Sequence, residues 1–577
     1  MISVPIAAPS CRLGRPARRW RARVVATVCT LAIGCPATLP PALAQTRLPT
    51  LGDPASEDFG IATERQLGDA IMREIRADPD YLDDPVLLEY LRSLWLPLVA
   101  QARVRGNITA DVDARLAWEP FLVRDRSVNA FALPGGYVGV HLGLMAMTAS
   151  RDELASVLAH ELSHITQRHI ARSIANSKHQ TLLSLAALVV GVLAASRAGN
   201  SSADAANAAI VGSQALAAQG QLNFSRDMER EADRVGFAVM SGAGFAPGGM
   251  AAMFEKLDQS SRLNDSGGFP YLRSHPLTSE RIGEARARMG TSEPSRMGTA
   301  AEPARTSASE PARGSAASPT APASALEHTA AQARSRVLMD ARFDALRRWQ
   351  ALDGDRVAAT VADKLASAYE SALASTLLRD WARADASIAT ALALVRGGGS
   401  GTGGAAPDLR AERAVVLLQA QSLLARGELA RADRALAPYA ADGSRPVLLL
   451  AAQAALAAAA APPSASAAAS GVAEALRQRA SDLQTWVAVN PRDSLAWTAL
   501  AQIDERLGLP LRAIRADAES RFALGDLSGA ADRLRAGQRR ARSGGAVDFI
   551  DVSVIDSRLR DIEVQRKKNE VDEKAFK

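Results

Sequence analysis

Cysteine is nearly absent: the 577 residues hold three, Cys11, Cys29 and Cys35, and all precede Ala44. Beyond that point there is no thiol and no disulfide, a composition that suits a bacterial periplasm. Acidic residues are missing from the first 44 positions, which carry Arg12, Arg15, Arg18, Arg19, Arg21 and Arg23. An apolar run from Val24 to Ile33 and the triplet Ala42-Leu43-Ala44 follow, so residues 1–44 read as a signal peptide with an A-x-A cleavage site. The alternative is a lipobox at Ala32-Ile33-Gly34-Cys35 with Cys35 as a lipidated first residue. Long hydrophobic runs are also lacking. Thr181 to Ala195 is apolar or small apart from Ser184 and Gly191, but it falls short of the roughly 20 residues that span a bilayer. It reads as a helical hairpin with Ala205 to Ala218, or else as a peripheral contact with a membrane surface.

Excess charge is lacking too. Without the six leader arginines, 62 of the 68 basic residues remain, equal to the 62 acidic ones. The net charge of +6 therefore comes from the leader, and composition offers no electrostatic case for nucleic-acid binding.

Against these absences stands one arrangement with its own chemistry. Seven histidines occur in the whole chain, and two of them, His160 and His164, flank Glu161 in an HExxH. Ser150 to Glu153 fits a capping box, and Leu154, Val157, Leu158, Leu162 and Ile165 recur at helical spacing. Positions i and i+4 share a helix face, so both imidazoles can grip one metal ion beside the glutamate. Catalytic zinc usually takes three protein ligands and leaves a place for water, so the third must come from elsewhere. A metzincin would have Gly at 167 and His at 170; this chain has Gln167 and Ile170, and His169 beside Arg168 is expected to face solvent. The best-placed carboxylate by motif is Glu229 in the acidic stretch NFSRDMEREADRVG from Asn223. Asp233, one turn on, is suited to accept a ring N–H from a ligating histidine. Zinc at such a site lowers the pKa of bound water to about 7. Glu161 would take the water's proton and pass it to the leaving amine.

Around this stretch the spacing predicts two or three helices from Ser56 to Arg105, broken at Asp78-Pro79, Asp84-Pro85 and Pro97. Phe121 to Val140 reads as a small sheet with a glycine turn, whose edge would hold an extended substrate, or whose valines would only pack the core. The expected organisation is a signal peptide over 1–44, a zinc metallopeptidase domain over 45–290, a Ser-, Ala- and Pro-rich linker over 291–325, and a helical repeat domain with a charged tail over 326–577. The stretches from Leu377, Leu423 and Arg521 align without gaps and resemble tetratricopeptide repeats, though the 34-residue period is irregular. The fold class is mainly α, with a small sheet in the peptidase part and a helical array after it.

HELSH at His160, SRDMEREAD from Ser225, NAFALPGGYVGV from Asn129, and Ser274-His275-Pro276-Leu277 with Arg281 together resemble the peptidase family of HtpX and the prenyl-protein (CAAX) proteases. The likeness covers roughly Glu57 to Arg288. It implies His160, His164 and Glu229 as ligands of one Zn2+ per chain and Glu161 as catalytic base. Asp233 falls where the family places a proton donor, although an orienting role suits its chemistry better. His275 would be a switch able to take the zinc's open position, or else a cap on the turn before Pro276. Export and repeats narrow the likeness to members that act in quality control of outer-membrane β-barrel proteins. Unfolded or stalled barrels would be substrates, and the repeats would dock to the assembly machinery. The rival reading is a periplasmic chaperone or scaffold that works through its repeats while the protease is mostly latent.

Overall fold

Helix α1 (Ile61–Ala77) opens the fold by burying Leu67, Ile71, Met72 and Ile75 along one stripe, as a 3.6-residue period requires. The computed structural model describes residues 59–176, 226–263, 269–291, 325–355, 360–397, 406–460, 466–543 and 548–576. The expected signal peptide over 1–44, the apolar runs 181–195 and 205–218, and the stretch between 291 and 325 lie outside these residues. After the two-residue strand β1 (Tyr81–Leu82) comes α2 (Pro85–Val104). Asp84 caps it by accepting from Leu87 N at 2.9 Å, and Pro85 occupies the first turn, where no N–H is needed. Asp84-Pro85 is thus a helix start, as expected. Pro97 does not break the chain. It lies inside α2, where Leu94, Trp95, Leu98 and Val99 are all buried, and that packing outweighs a helix-interior proline's cost of about 3 kcal/mol.

Past α3 (Ala110–Arg115) run β2 (Glu119–Val123), β3 (Ala130–Leu133) and β4 (Tyr137–His141). The sheet order is β1-β2-β4-β3, with β2 and β4 parallel and the outer strands antiparallel to their neighbours. The expected small sheet is present; β1 adds a fourth strand too short to show alternation. Leu133 pairs with Tyr137, and the turn between them closes through Gly135 and Gly136, both at positive φ. This turn rests on α1: a Cβ at Gly68 would lie 2.0 Å from Pro134 O. Gly68→Ala is therefore expected to lower stability by about 1–3 kcal/mol or more and to displace the β3–β4 turn. A shift in the thermal midpoint checks this; an unchanged midpoint would show that α1 can slide without cost.

A short helix α4 (Leu142–Met147) leads into α5 (Arg151–Thr166), the HExxH helix. Ser150 Oγ accepts from Glu153 N at 3.2 Å, while the Glu153 carboxylate reaches Ala149 N at 2.7 Å and Lys256 Nζ at 2.6 Å. The helix is buried on every side from Glu153 to Ile165, which makes it the central core element of residues 59–291 rather than a half-exposed one. Then follow α6 (His169–Asn176), α7 (Arg226–Gly242), α8 (Gly248–Leu263), α9 (Pro270–Ser274) and α10 (Ser279–Thr291). Helices α2, α7 and α8 and strand β3 pack around α5.

From α11 (Ala325–Leu338) onward the described chain is helical. The stretches that align in sequence each cover the turn of a helical hairpin: residues 361–377 with 381–395, 409–425 with 429–436, and 510–523 with 527–542. Arg379, Gly427 and Gly525 take the left-handed conformation at these turns, and Asp380 and Asp526 cap the helix that follows. The helices from α11 onward are tied to the part of the fold before residue 291 by ion pairs around the start of α2. Asp84 meets Arg334, Asp83 meets Arg445, and Glu89 meets Arg413. Buried His328 bridges the same seam, with Nδ1 2.5 Å from Tyr90 Oη and Nε2 3.0 Å from Thr148 O. None of the described helices is long and apolar enough to cross a membrane.

Candidate metal centre

The helical spacing of α5 places His160 and His164 one turn apart, with their Nε2 atoms 2.9 Å from each other. Helix α7 supplies the acidic partners because it can approach α5 closely. Glu229, Asp233 and Gly236 are spaced four and three apart on one stripe, and a Cβ at Gly236 would lie only 3.0 Å from Ala159 O. The missing side chain lets the stripe bring Glu229 to 3.4 Å from His160 Nε2 and 3.5 Å from His164 Nε2. His275, at the C-terminal end of α9, completes the group. Its Nδ1 is 3.0 Å from Glu229 Oε1 and 3.3 Å from His160 Nε2, and its ring stacks on Tyr271 at 4.7 Å.

These four side chains are buried and offer donor atoms that all lie within 4.8 Å of one another. Four ligands held tetrahedrally at 2.0–2.1 Å are spaced about 3.4 Å apart, close to the distances observed here. Two imidazole Nε2 atoms facing each other at 2.9 Å are best accommodated by a cation between their lone pairs. The residues fit a four-coordinate metal ion.

Around this set each group is oriented. His160 Nδ1 meets Asp233 Oδ1 at 2.9 Å, and Asp233 is gripped by Arg281 through Nε at 2.6 Å and a terminal nitrogen at 2.8 Å. Arg281 also donates to Pro276 O at 2.9 Å, fixing the loop that carries His275, and lies 2.9 Å from Glu229. Burial disfavours charge on His160, whereas its hydrogen bonds to Asp233 and Glu229 favour it, so with no cation in the site a proton is held there in its place. Burial works against ionised Asp233 and Glu229 as well. Arg281 and His160 hold Asp233 below the usual carboxylate range, and His275 and His160 do the same for Glu229. His164, buried and beside other imidazoles, is held well below its ordinary value and so keeps a lone pair to offer.

Glu161 is fully buried. Its Oε2 accepts from Ala132 N at 2.9 Å, while its Oε1 has no hydrogen-bond donor and lies 3.6 Å from His275 Nε2. Burial raises its pKa, as a general base requires. The bond from Ala132 also shows that the outer edge of β3 faces this carboxylate.

All six residues singled out in the sequence, His160, Glu161, His164, Glu229, Asp233 and His275, are thus brought together. His169 is the correction: it is fully buried rather than solvent-facing, with Nδ1 2.9 Å from His164 Nδ1. The Ala132 N–H was not legible either, since a main-chain donor leaves no trace in composition.

Comparison with known proteins agrees with this geometry. Residues 100–289 match the profile of peptidase family M48. A Vibrio cholerae relative is 39% identical over 265 residues, 45% of this chain and 51% of its own length. The β-barrel assembly-enhancing protease of Escherichia coli is 33% identical over 280 residues, 48% of this chain and 54% of that protein. A mitochondrial metalloendopeptidase of Schizosaccharomyces pombe is 34% identical over 227 residues, 39% of this chain and 60% of its own. The chain spans about half the length of the first two of these relatives. Residues 100–289, the stretch that is similar to peptidase family M48, carry all six of these side chains.

Proposed function

We propose that this protein is an exported zinc endopeptidase that hydrolyses peptide bonds of unfolded or stalled outer-membrane β-barrel proteins, with His160, His164 and Glu229 as zinc ligands. The buried four-donor cluster beside Glu161 is the observation that carries this reading. Three nitrogens and a carboxylate oxygen suit zinc, which when bound supplies an activated water and polarises the scissile carbonyl. With the metal bound, Glu161 would be placed to take a proton from water and return it to the leaving amine, and Asp233 would hold His160 in the tautomer that leaves Nε2 free. An extended substrate segment fits beside β3, whose outer edge faces Glu161, and backbone pairing there tolerates most side chains. Barrel strands that have failed to pair present such edges. The name of the Escherichia coli relative and the run of helical hairpins support a role in barrel assembly, with the hairpins docking clients or assembly machinery.

His275 Nδ1, 3.0 Å from Glu229 Oε1 and 3.3 Å from His160 Nε2, would stand where an activated water is needed. It therefore acts as a fourth ligand that keeps the resting enzyme closed, which also accounts for a protease that is mostly latent while its helical hairpins engage partners. His275→Ala is expected to retain zinc and to cleave unfolded casein roughly tenfold faster, the effect of opening a site that is open about one-tenth of the time. Metal analysis and casein cleavage of wild type and variant, side by side, test both parts. Wild-type protein that folds but binds no zinc would end the enzyme reading; equal activity in the two would end the gating role.

A further inference from the structure

The two ligating histidines are oriented by different means, and the second uses a residue no motif assigns. We propose that His169 is a positioning residue that fixes His164 in its metal-binding tautomer, through a hydrogen-bonded relay ending on Glu231. This rests on His164 being a metal ligand.

The chain of tautomers follows from valence. His164 Nε2 faces the cluster, 2.9 Å from His160 Nε2 and 3.5 Å from Glu229 Oε1, so a ligating His164 must keep a lone pair there. A neutral imidazole then carries its proton on Nδ1. That atom meets His169 Nδ1 at 2.9 Å, which must accept, placing the proton of His169 on Nε2. His169 Nε2 in turn lies 3.1 Å from Glu231 Oε2, and Glu231 is held by Arg172 at 3.1 Å. A carboxylate therefore orients one imidazole, which orients the next.

A continuous helix could not make this contact, because residues five apart point about 140° away from each other. The backbone breaks instead after α5. Arg168 takes a left-handed φ of 53°, and α6 starts afresh at His169 with its ring turned back onto His164. The guanidinium of Arg168 secures the break by bonding Phe59 O at 2.7 Å and Glu64 at 3.3 Å. His160, by contrast, bonds Asp233 directly.

The test is the zinc dissociation constant of the apo full-length protein, read by competition with a chromophoric chelator, for wild type, His169→Leu, His169→Asn and Glu231→Gln. Partners of this kind typically contribute 10–100-fold in affinity. The leucine variant should lose about that much. Asparagine places a carbonyl oxygen near the position of Nδ1 and should recover most of it; Glu231→Gln, which weakens only the far end, should lose several-fold. A purely structural role would instead lower the thermal midpoints while leaving the constants alike. Wild-type affinity in His169→Leu or in Glu231→Gln, or an asparagine variant as weak as the leucine one, would overturn the relay. Because Glu231 is half-buried at the surface, its variant answers even if the leucine protein does not fold. Wild-type protein that binds no zinc would overturn the metal reading and the relay with it, whereas tight wild-type binding with unaffected variants would overturn the relay alone.

Discussion

Glu161→Gln should lower kcat for casein by about 10²–10⁴ while leaving zinc content and folding unchanged. The separation follows from what each oxygen does. Oε2 accepts from Ala132 N at 2.9 Å, and the amide oxygen of glutamine can accept the same bond, so the side chain stays in place. Oε1 has no donor and faces the cluster, and there the amide nitrogen of glutamine cannot take a proton from water. Volume and burial are conserved, so no cavity or unpaired charge is created. The clearest measurement uses the His275→Ala background, which removes the proposed fourth ligand, and compares kcat, KM and bound zinc with and without Glu161→Gln. A preserved KM with a collapsed kcat is the signature of a group that acts in the transition state. Undiminished kcat with zinc bound would assign the proton transfer to another residue.

What the sequence made legible was whatever periodicity or motif spacing encodes. The HExxH places two imidazoles on one helix face irrespective of the rest of the chain, and the i, i+4 spacing of Glu229 and Asp233 does the same for the carboxylates. The apolar run from Ala130 to Leu133 and the Gly135-Gly136 turn after it marked the sheet. The aligned turns at Arg379, Gly427 and Gly525 marked helical hairpins.

Contacts decided by tertiary packing were not legible. Pro97 reads as a breaker, yet the apolar residues on both sides keep α2 continuous. His169 reads as exposed because it stands beside Arg168, but the left-handed turn at Arg168 rotates it inward, and nothing in a non-glycine residue announces that conformation. The salt bridges from Asp83, Asp84 and Glu89 to arginines more than 200 positions away are invisible for the same reason: each residue alone looks like a solvated charge.

Arg281→Met is expected to cost about 3–5 kcal/mol of local stability in α5 and α7, a larger effect than any surface ion pair in this chain would give. Arg281 is 4% exposed, and its guanidinium bonds both oxygens of Asp233, contacts Glu229 and donates to Pro276 O. Methionine fills similar space but leaves Asp233 buried with only His160 as a partner. Amide hydrogen exchange resolves the cost by segment, which suits a chain with several cooperative units better than one global unfolding curve. Faster exchange is expected over residues 151–166 and 226–242, with the hairpins beyond 360 unchanged. Adding Asp233→Asn should recover part of the loss, because removing both charges of a buried pair is far milder than removing one. Arg281→Lys should fall between, since it keeps the charge but not the two-pronged geometry. The Pro276 bond adds a functional consequence: without it the loop bearing His275 is less firmly held, so residual cleavage per folded, zinc-loaded molecule should rise even as stability falls. Exchange identical to wild type in Arg281→Met would show that the buried network contributes nothing, and that packing of α7 on α5 alone holds the site together.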